Sequence, residues 1–414
     1  SWTPTTADEG TTATFVIRVT DQEGTIVEAR WTVRVDSSRF LFLSPTGVAT
    51  NPGTIDQPMR DVGDWYRGDA DDATYADRLV CFRAGTYQPI GQAGNENLRL
   101  AAGIKPMTYI GFPGEEAVID ATRAAWTFWE HTDDVTFAQL TFIGSKVAHP
   151  DGNRIANART ISFYGGTNHH RITMFEVTAR GIEPGEGGND NPAFVWRPSS
   201  GANRGRYWAF VGNTFADGGP KTANGPCAVS LSCVSDVVYE GNTVSQWNGT
   251  GTLYDKANVD TVSIRNNNLW QVSTDDAHPH HALGAGLSGS YDANHQPGGF
   301  EVCWNRIRVP YRGKRNPVFA ISVGVGTGGK PRGPVWVYRN NIIGTVDFVG
   351  VKHFAATFDR NVVLGGAWRS AEGVITAGDN AWFQDPAAMV FDADGDLVEA
   401  LREEHLGRRG AQVR

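Results

Sequence analysis

Short alternations of apolar and polar residues recur along the chain, and many end in an asparagine followed by a branched or aliphatic residue. The pattern reads VVYEGNTV at 237–244 and VSIRNNNL at 262–269, and it recurs at 208–215, 302–307, 335–343 and 356–363. The repeats align on Asn213, Asn242, Asn267, Asn305, Asn341 and Asn361, which are 20 to 38 residues apart. Such spacings are typical of repeat proteins, in which each unit buries its apolar face by stacking on its neighbours.

The repeat units predict short strands separated by turns, because their apolar residues alternate and show no helical periodicity. We therefore expect an all-β solenoid, a parallel β-helix in which each unit forms one coil. Equivalent residues of successive coils would lie about 4.8 Å apart. Asparagine can adopt a left-handed turn and can hydrogen-bond to its equivalent in the next coil. The asparagine column is therefore interpreted as structural.

Residues 12–36 predict a β-hairpin that precedes the repeats. Alternating apolar residues at Phe15, Ile17 and Val19, and again at Trp31, Val33 and Val35, flank the turn 21–24. A lone hairpin is marginal in water, so we expect its apolar face to pack on something. The segment resembles the last two strands of immunoglobulin-like modules of secreted bacterial proteins. That resemblance implies that residues 1–37 are the end of such a module and that the protein extends upstream.

The stretch 40–60 reads FLFLSPTGVATNPGTIDQPMR, an apolar strand that leads into turns and a short amphipathic segment. With RLVCFRAGTY at 78–87 and PMTYIGFPGEEAVID at 106–120, it resembles the entry and first coils of right-handed parallel β-helix proteins, especially pectate lyase-like secreted polysaccharide lyases. The resemblance implies a right-handed β-helix over residues 38–380. Residues 381–414 would then cap its open end. Long insertions at 144–157, 180–206, 216–226, 272–299 and 308–334 are expected to cluster on one face and build a binding groove.

Composition narrows the classes of partner. A net charge of −8 and a pI near 5.7 argue against nucleic acid, which requires a basic surface. No apolar run is long enough to span a membrane. We expect a secreted protein, bacterial or phage-associated, and a monomer closed by its own caps. Four cysteines lack metal-binding spacing; Cys227 and Cys233 could form a disulfide, and buried thiols fit equally well.

A solenoid groove suits a polymeric glycan, and the chemistry of glycan cleavage defines which residues to seek. Cleavage of a uronic acid polymer by β-elimination needs a cation on the C5 carboxylate, a base for the C5 proton and an acid for the leaving oxygen. The run LYDKANVDTVSIRNNN resembles the lysine-bearing motif of polysaccharide lyase family 6. That resemblance implies that Lys256 is the base. The alternative is a surface lysine paired with Asp255.

Two further segments concentrate groups that could carry chemistry. The insertion 273–298 holds four of the ten histidines, and we interpret His280 and His281 as substrate-binding and catalytic candidates, respectively. The segment 308–315 supplies Tyr311, Arg312, Lys314 and Arg315. Guanidinium groups suit carboxylates, so Arg312 is a catalytic candidate with Lys314 and Arg315 in binding, and Tyr311 or His281 would be the acid. A solvated basic loop is the alternative.

The acidic loop 183–190 could hold a calcium ion that bridges protein and uronate. Its candidate ligands are Glu183, Glu186 and Asp190, whose oxygens suit calcium. No other cofactor is expected.

Three functions remain open at this point, because β-helices carry all of them. The first is a polysaccharide lyase that acts on an anionic glycan. The second is a glycoside hydrolase, since Asp275 and Asp276 with Arg312-Gly-Lys314 resemble elements of polygalacturonases. The third is a tailspike-like or adhesin-like solenoid that only binds glycans, through a platform of Trp196, Trp208, Trp247 and Trp270.

Overall fold

The structure is a computed structural model of the 414-residue chain. It describes residues 8, 10–20, 26–60, 78–88, 97–99, 107–120, 122, 126–130, 133–144, 159–163, 168–181, 195–197, 205–218, 227–248, 251–255, 259–272, 280–285, 298–309, 318–323, 334–348, 356–365, 368–370 and 375–383. Within these residues there is no α-helix, and no helix that is long and apolar enough to cross a membrane. The predicted all-β class is confirmed.

The strands are short and follow one another along the chain. A 3-10 turn at Ser37–Arg39 directly precedes the third strand. In chain order they are β1 (Thr12–Thr20), β2 (Ile26–Arg34), β3 (Phe40–Leu43), β4 (Leu79–Phe82), β5 (Gly85–Tyr87), β6 (Asn97–Arg99), β7 (Met107–Gly111), β8 (Ala117–Asp120), β9 (Trp126–Glu130), β10 (Val135–Ala138), β11 (Thr141–Ile143), β12 (Arg159–Phe163), β13 (His170–Phe175), β14 (Thr178–Arg180), β15 (Val195–Arg197), β16 (Gly205–Val211), β17 (Thr214–Ala216) and β18 (Cys227–Leu231). They continue as β19 (Val234–Glu240), β20 (Thr243–Trp247), β21 (Gly251–Asp255), β22 (Asp260–Arg265), β23 (Asn268–Gln271), β24 (His280–Ala285), β25 (Phe300–Cys303), β26 (Arg306–Arg308), β27 (Val318–Val323), β28 (Val335–Tyr338), β29 (Asn341–Ile343), β30 (Thr345–Phe348), β31 (Ala356–Asp359), β32 (Val362–Leu364), β33 (Trp368–Ser370), β34 (Ile375–Ala377) and β35 (Ala381–Phe383).

These strands form three long parallel sheets. Sheet I has 12 strands in the order β3-β4-β7-β10-β13-β16-β19-β22-β25-β28-β31-β34. Sheet II has 11, in the order β35-β32-β29-β26-β23-β20-β17-β14-β11-β8-β5, and sheet III has 10, in the order β33-β30-β27-β24-β21-β18-β15-β12-β9-β6. From β4 to β33 each coil contributes one strand to sheet I, then one to sheet II, then one to sheet III. The predicted right-handed parallel β-helix is therefore confirmed, and its strands run from Phe40 to Phe383.

The core is a stack of equivalent inward residues, which is why the sequence alternates. In sheet I the inward position is taken in successive coils by Tyr109, Phe137, Met174, Phe210 and Tyr239, all fully buried. Parallel rings stack where aromatic residues meet on neighbouring coils: the centroids of Tyr109 and Phe137 are 5.1 Å apart, and those of Phe210 and Tyr239 are 5.0 Å apart. These stacks add pairing energy to the burial of the rings.

The asparagine column forms a continuous buried ladder at the corner between sheets I and II, as predicted. In each step the side-chain oxygen of one asparagine accepts hydrogen bonds from both the backbone N–H and the Nδ2 of its equivalent one coil earlier, at 2.9 to 3.0 Å. The members are Asn213, Asn242, Asn267, Asn305, Asn340, Asn361 and Asn380. The prediction of Asn341 was wrong by one residue, because Asn341 begins β29 and Asn340 bonds in the ladder.

The left-handed turn also lies one residue earlier than predicted. At this corner the residues with positive φ are those that immediately precede the ladder asparagines, including Gly212 at +65°, Gly241 at +66°, Asn266 at +57° and Trp304 at +60°. The ladder asparagine itself therefore supplies hydrogen bonds, and its predecessor supplies the reversal that separates sheet I from sheet II.

The long insertions occur at two corners and not on one face. The connecting segments that vary most in length join sheet II to sheet III or sheet III to sheet I, whereas the connections between sheets I and II are short. Three predicted insertions contain a strand of sheet III: β15 in 180–206, β24 in 272–299 and β27 in 308–334. Most of the remaining insertion residues lie outside the described part of the chain.

The predicted N-terminal hairpin is present. Strands β1 and β2 pair antiparallel with Phe15 opposite Trp31, and these rings stack at 5.6 Å. Its apolar side chains are exposed: Ile17 is 52% accessible and Trp31 43%. We expected this face to be covered by another part of the protein, but none of the described residues covers it. The relation to an immunoglobulin-like module stays a prediction.

The four cysteines are free and buried, so a disulfide between Cys227 and Cys233 does not form. The amphipathic segment predicted from Met59 lies largely outside the described residues, as do residues 384–414 of the predicted cap 381–414, whose first three residues form β35. Met59 itself is buried and bridges to Leu43, next to the first coil.

Candidate functional site

The outer face of sheet III presents a single file of residues on consecutive coils. Its inward positions hold Val195, Val229, Leu253, Leu283 and Ile321, all fully buried, so the adjacent positions belong to the outer face. Strand pairing places these ten positions side by side: Arg99, Trp129, Ser162, Trp196, Ser230, Tyr254, Gly284, Ser322, Asp347 and Arg369. We call this file the outer column. At about 4.8 Å per coil, its length is about 43 Å, which suits an extended polymer.

The outer column is defined by strand register, and those of its members whose burial the structure describes, Ser162, Ser230 and Gly284, are buried, with the two serines 1% and 2% exposed. Trp129, Trp196 and Tyr254 occupy aromatic positions, and aromatic rings offer flat apolar faces with a polar edge. Gly284, next to Tyr254, brings no side chain to the file. Asp347 and two arginine positions add charge towards the ends of the file. Along the helix axis the file therefore alternates aromatic and polar positions.

The predicted tryptophan platform is only partly consistent with this arrangement. Trp196 belongs to the outer column, but Trp208 and Trp247 are 1% and 0% exposed and lie in the core. Their membership of a binding platform was wrong, since inward tryptophans cannot stack on a ligand. Trp270 lies on β23 in sheet II, where the guanidinium of Arg308 is 4.8 Å from its ring centroid.

Lys256 directly follows β21 and lies outside the described residues, so its role as base stays a prediction. The preceding residue, Asp255, is fully buried and its Oδ1 accepts a 2.8 Å hydrogen bond from the Tyr239 hydroxyl. Burial raises the pKa of Tyr239 well above its ordinary value, and the Asp255 carboxylate adds to that shift. The alternative, a surface lysine paired with Asp255, also stays a prediction, because Lys256 is not described. This buried bond fixes the end of β21 beside the outer column.

The two predicted histidines lie on a strand and not in a loop. His280 and His281 begin β24, where His280 pairs with Val318 and His281 with Gly251 and Phe319. Because His281 is two residues before the inward Leu283, it is on the core side of sheet III, and it is buried at 7% exposure. His280 belongs by position to the outer face. The loop assignment was wrong, because the short strand within 272–299 carries no distinctive alternation.

The other predicted site residues lie in segments that join sheet II to sheet III. The segment 273–279 connects β23 to β24, and 310–317 connects β26 to β27; since β23 pairs with β26 and β24 with β27, the two segments start and end on neighbouring coils. They contain Asp275, Asp276, Tyr311, Arg312, Lys314 and Arg315, all outside the described residues. Just before the second segment, the Arg308 Nη2 donates a 3.1 Å hydrogen bond to the Asn268 side chain.

The predicted calcium ligands Glu183, Glu186 and Asp190 lie in 182–194, which joins the same two sheets and is also outside the described residues. In the part of the chain that is described, no three histidine, cysteine or acidic side chains are grouped to hold a metal ion. The calcium site stays a prediction.

Sequence reasoning missed Tyr254, Asp347 and Trp129 of the outer column. Each lies in a strand of only four or five residues, so the alternation that marks its outward position is too short to recognise alone. The alternation in GTLYD, with Leu253 inward and Tyr254 outward, was the available signal.

No family model matches the chain, and no curated protein matches it. Solved structures do. A rhamnogalacturonan lyase superposes with a TM-score of 0.50 at 12% identity, covering 90% of this chain and 99% of the lyase. Pectate lyase Pel9A superposes with a TM-score of 0.50 at 13% identity, covering 92% of this chain and 91% of that chain. At such low identity these similarities show the fold, and they establish that this chain is built like the β-helix of polysaccharide lyases.

Proposed function

We propose that the protein cleaves a uronic acid-containing polysaccharide by β-elimination along the outer face of sheet III. The observation that carries the proposal is the outer column, a file of aromatic and charged positions in which Tyr254 precedes Lys256 by two residues and whose length suits several sugar units. The similar solved structures support it, because both are named as lyases and one as a pectate lyase. We further propose that the protein acts outside the cell as a monomer.

The reaction assigns one task to each predicted group. Arg312, assisted by Lys314 and Arg315, neutralises the C5 carboxylate and so acidifies the C5 proton. Lys256 in its neutral form takes that proton, a double bond forms between C4 and C5, and the bond from C4 to the glycosidic oxygen breaks. Tyr311 protonates the departing oxygen, because the other predicted acid, His281, lies on the core side of sheet III and cannot contact a substrate on the outer face.

The remaining predicted residues would bind and position the substrate. His280, Asp275 and Asp276 contact hydroxyl groups near the cleaved bond. A calcium ion held by Glu183, Glu186 and Asp190 would supply a further positive charge to the uronate. Aromatic positions of the outer column hold the sugar rings on either side.

The test is the ultraviolet absorbance of unsaturated uronate products on alginate, pectate, rhamnogalacturonan and chondroitin, with calcium and with chelator. We expect one substrate to give a rise that falls by about 100-fold or more in Lys256→Ala, the loss typical of a general base. Lys105→Ala, which removes a lysine before β7 in an early coil, is the matched control and should retain activity. A lyase activity unchanged in Lys256→Ala would contradict the assignment of the base.

Glycoside hydrolysis is the second candidate, and one observation favours it. The segments with Asp275 and Asp276 and with Arg312 and Lys314 start and end on neighbouring coils, as a carboxylate pair with cationic partners requires. New reducing ends without an ultraviolet signal, lost in Asp275→Asn or Asp276→Asn, would move the function to hydrolysis. Binding without either product would leave a glycan-binding solenoid.

A further inference from the structure

A second groove lies on the outer face of sheet I, a different face of the β-helix from the outer column. Its volume is about 640 Å³, within the range of ligand-binding clefts. The floor is a file of small outward residues on three consecutive coils, Ala209, Val238 and Ser263. The same file continues with Glu301 and Trp336. The groove therefore runs across the strands, along the helix axis.

Large aromatic side chains stand at the two ends of this floor. Tyr207 is 52% exposed and Trp336 45%, although each is flanked by well-packed strands. They lie on strands β16 and β28, which are four inter-strand steps apart, or about 19 Å along the axis. Exposed aromatic rings at a fixed spacing, separated by small residues, leave a concave strip between two flat surfaces.

The ring of Tyr207 is held in place from below. The guanidinium of Arg206 lies 5.0 Å from its centroid, and the Arg206 Nε donates a 3.0 Å hydrogen bond to Asp236 on the next coil. The backbone of Tyr207 is left-handed, with φ at +64°, and the same conformation recurs at Asp236 and Thr261 on the two following coils. This repeated outward kink raises one wall of the groove. The Tyr207 ring is thus ordered before any ligand arrives, which lowers the entropic cost of binding.

The polar groups of the groove select against acidic ligands. Glu301 and Asp236 line it and the described lining contains no lysine or arginine, although Asp236 is paired with Arg206 beside the Tyr207 ring. Glu301 accepts hydrogen bonds from Ser263 and from Tyr338, so its oxygens are oriented across the floor. A uronate or sulfate on the floor would meet the carboxylate of Glu301, a like charge that is unfavourable at close range. Sugar hydroxyls, in contrast, can donate hydrogen bonds to these carboxylates.

We propose that this groove is a separate carbohydrate-binding site for a neutral, linear glycan segment that stacks on Tyr207 and Trp336. The charge of the groove identifies the ligand class, and the two aromatic ends set its length at several sugar units. The site goes beyond the proposed lyase activity, because its ligand is uncharged whereas the proposed substrate is anionic. A protein with both sites would hold a neutral polysaccharide while it cleaves an acidic one.

The experiment is calorimetric titration of the whole chain with linear neutral hexasaccharides of glucose, xylose and mannose, and with hexagalacturonate. The variants are Tyr207→Ala and Trp336→Ala, which each remove one exposed ring. The matched control is Trp382→Ala, an exposed tryptophan on β35 of sheet II. Lys256→Ala separates this site from the proposed catalytic face, and circular dichroism verifies that each variant is folded.

We expect at least one neutral hexasaccharide to bind, and its affinity to fall about tenfold in each groove variant while Trp382→Ala and Lys256→Ala remain unchanged. Absence of binding by all neutral sugars would overturn the proposal. Equal affinity in the groove variants would overturn it too, as would binding of hexagalacturonate that depends on Tyr207 and Trp336. If these variants instead abolish a dimer seen by sedimentation, without altering sugar binding, the groove is an interface between copies and not a glycan site.

Discussion

The buried asparagine ladder makes a quantitative prediction about stability, which centres on Asn267. Its side-chain oxygen accepts from the backbone N–H and the Nδ2 of Asn242, and its own Nδ2 donates to the carbonyl oxygens of Tyr239 and Arg265 and to Asn305. Asn267→Ala removes all of these side-chain bonds at once. Because Asn267 is 1% exposed, the groups left behind lie away from solvent.

The magnitude follows from counting the donors that lose their acceptor. The Asn242 N–H keeps no ladder acceptor, whereas the Asn242 Nδ2 still donates to the Phe210 carbonyl oxygen at 2.9 Å. One fully stranded buried donor and one weakened donor cost about 1–3 kcal/mol and about 1 kcal/mol, respectively. We therefore expect Asn267→Ala to lower the free energy of unfolding by about 3 kcal/mol.

Asn380→Ala is the matched control at the end of the ladder. The Asn380 oxygen accepts from the N–H and Nδ2 of Asn361 in the same geometry, at 2.9 and 3.0 Å. Asn380 is half-buried, however, so water can replace the lost acceptor. The same substitution should therefore cost about 1 kcal/mol or less at this position.

Urea unfolding followed by far-ultraviolet circular dichroism measures the difference. The urea midpoints are compared only between variants whose transitions have the same dependence on urea, since repeat proteins can unfold in more than one step. Asn267→Asp is a second variant: it keeps the acceptor for Asn242 but turns a carboxylate towards the carbonyl oxygens, so it should also destabilise. Equal midpoints for Asn267→Ala and Asn380→Ala, or a neutral Asn267→Asp, would refute the view that buried hydrogen bonds of the ladder hold adjacent coils together.

Three further predictions concern groups away from the ladder. Burial raises the pKa of the Cys81 thiol to about 12 and that of the Cys227 thiol above its ordinary value. We therefore expect neither thiol to react with a thiol reagent at neutral pH until the protein is unfolded. Labelling of either cysteine in the native protein would contradict this. The Arg83 guanidinium lowers the pKa of Glu115 below its ordinary 4.5. The ion pair therefore stabilises the fold above the unfolded-state pKa, and this contribution is lost as the pH falls through the lower folded-state pKa. The melting temperatures of wild type and Glu115→Gln should converge in acid, and a difference that stays constant with pH would refute the pairing. Trp247→Ala should lower the free energy of unfolding by about 3–5 kcal/mol, because its ring lies in the core. The glycan affinity of the folded variant should not change. Weaker glycan binding by a fully folded variant would show that Trp247 belongs to a binding surface.

The fold was predictable because its repeats carry a chemical marker. From residue 213 onwards every coil has an asparagine at the same corner, and the sequence alone located six coils from it. The earlier coils lack that marker: the backbone N–H of Val177 bonds to Asn213, but no asparagine takes the corresponding place one coil before. There the resemblance of the segments at 40–120 to known entry coils was needed. The error at Asn341 came from the Asn340–Asn341 pair, whose two members only hydrogen bonding distinguishes.

The tryptophan and histidine assignments failed for a different physical reason. Trp208 and Trp247 are in strands whose alternation puts them inward, yet a tryptophan in a polar-rich repeat suggests a ligand platform. His281 was assigned to a loop because 272–299 is rich in glycine and polar residues, which hides a six-residue strand. Strand pairing with β21 and β27 decides both the strand and its inward side, and pairing is a long-range property.

Both proposed carbohydrate surfaces arise from the same constraint on each coil. Inward positions must be apolar and the ladder corner is asparagine from residue 213 onwards, so the outward positions of the sheets are the ones left free to carry chemistry. Neighbours on such a face are a whole coil apart in the sequence: Tyr254 lies beside Ser230 and Gly284, and Trp336 beside Glu301. A local motif cannot describe a site of this kind. Its residues become recognisable only when the register of the strands is known, which is why the sequence indicated a glycan-binding solenoid but not the two files of residues along which a glycan could lie.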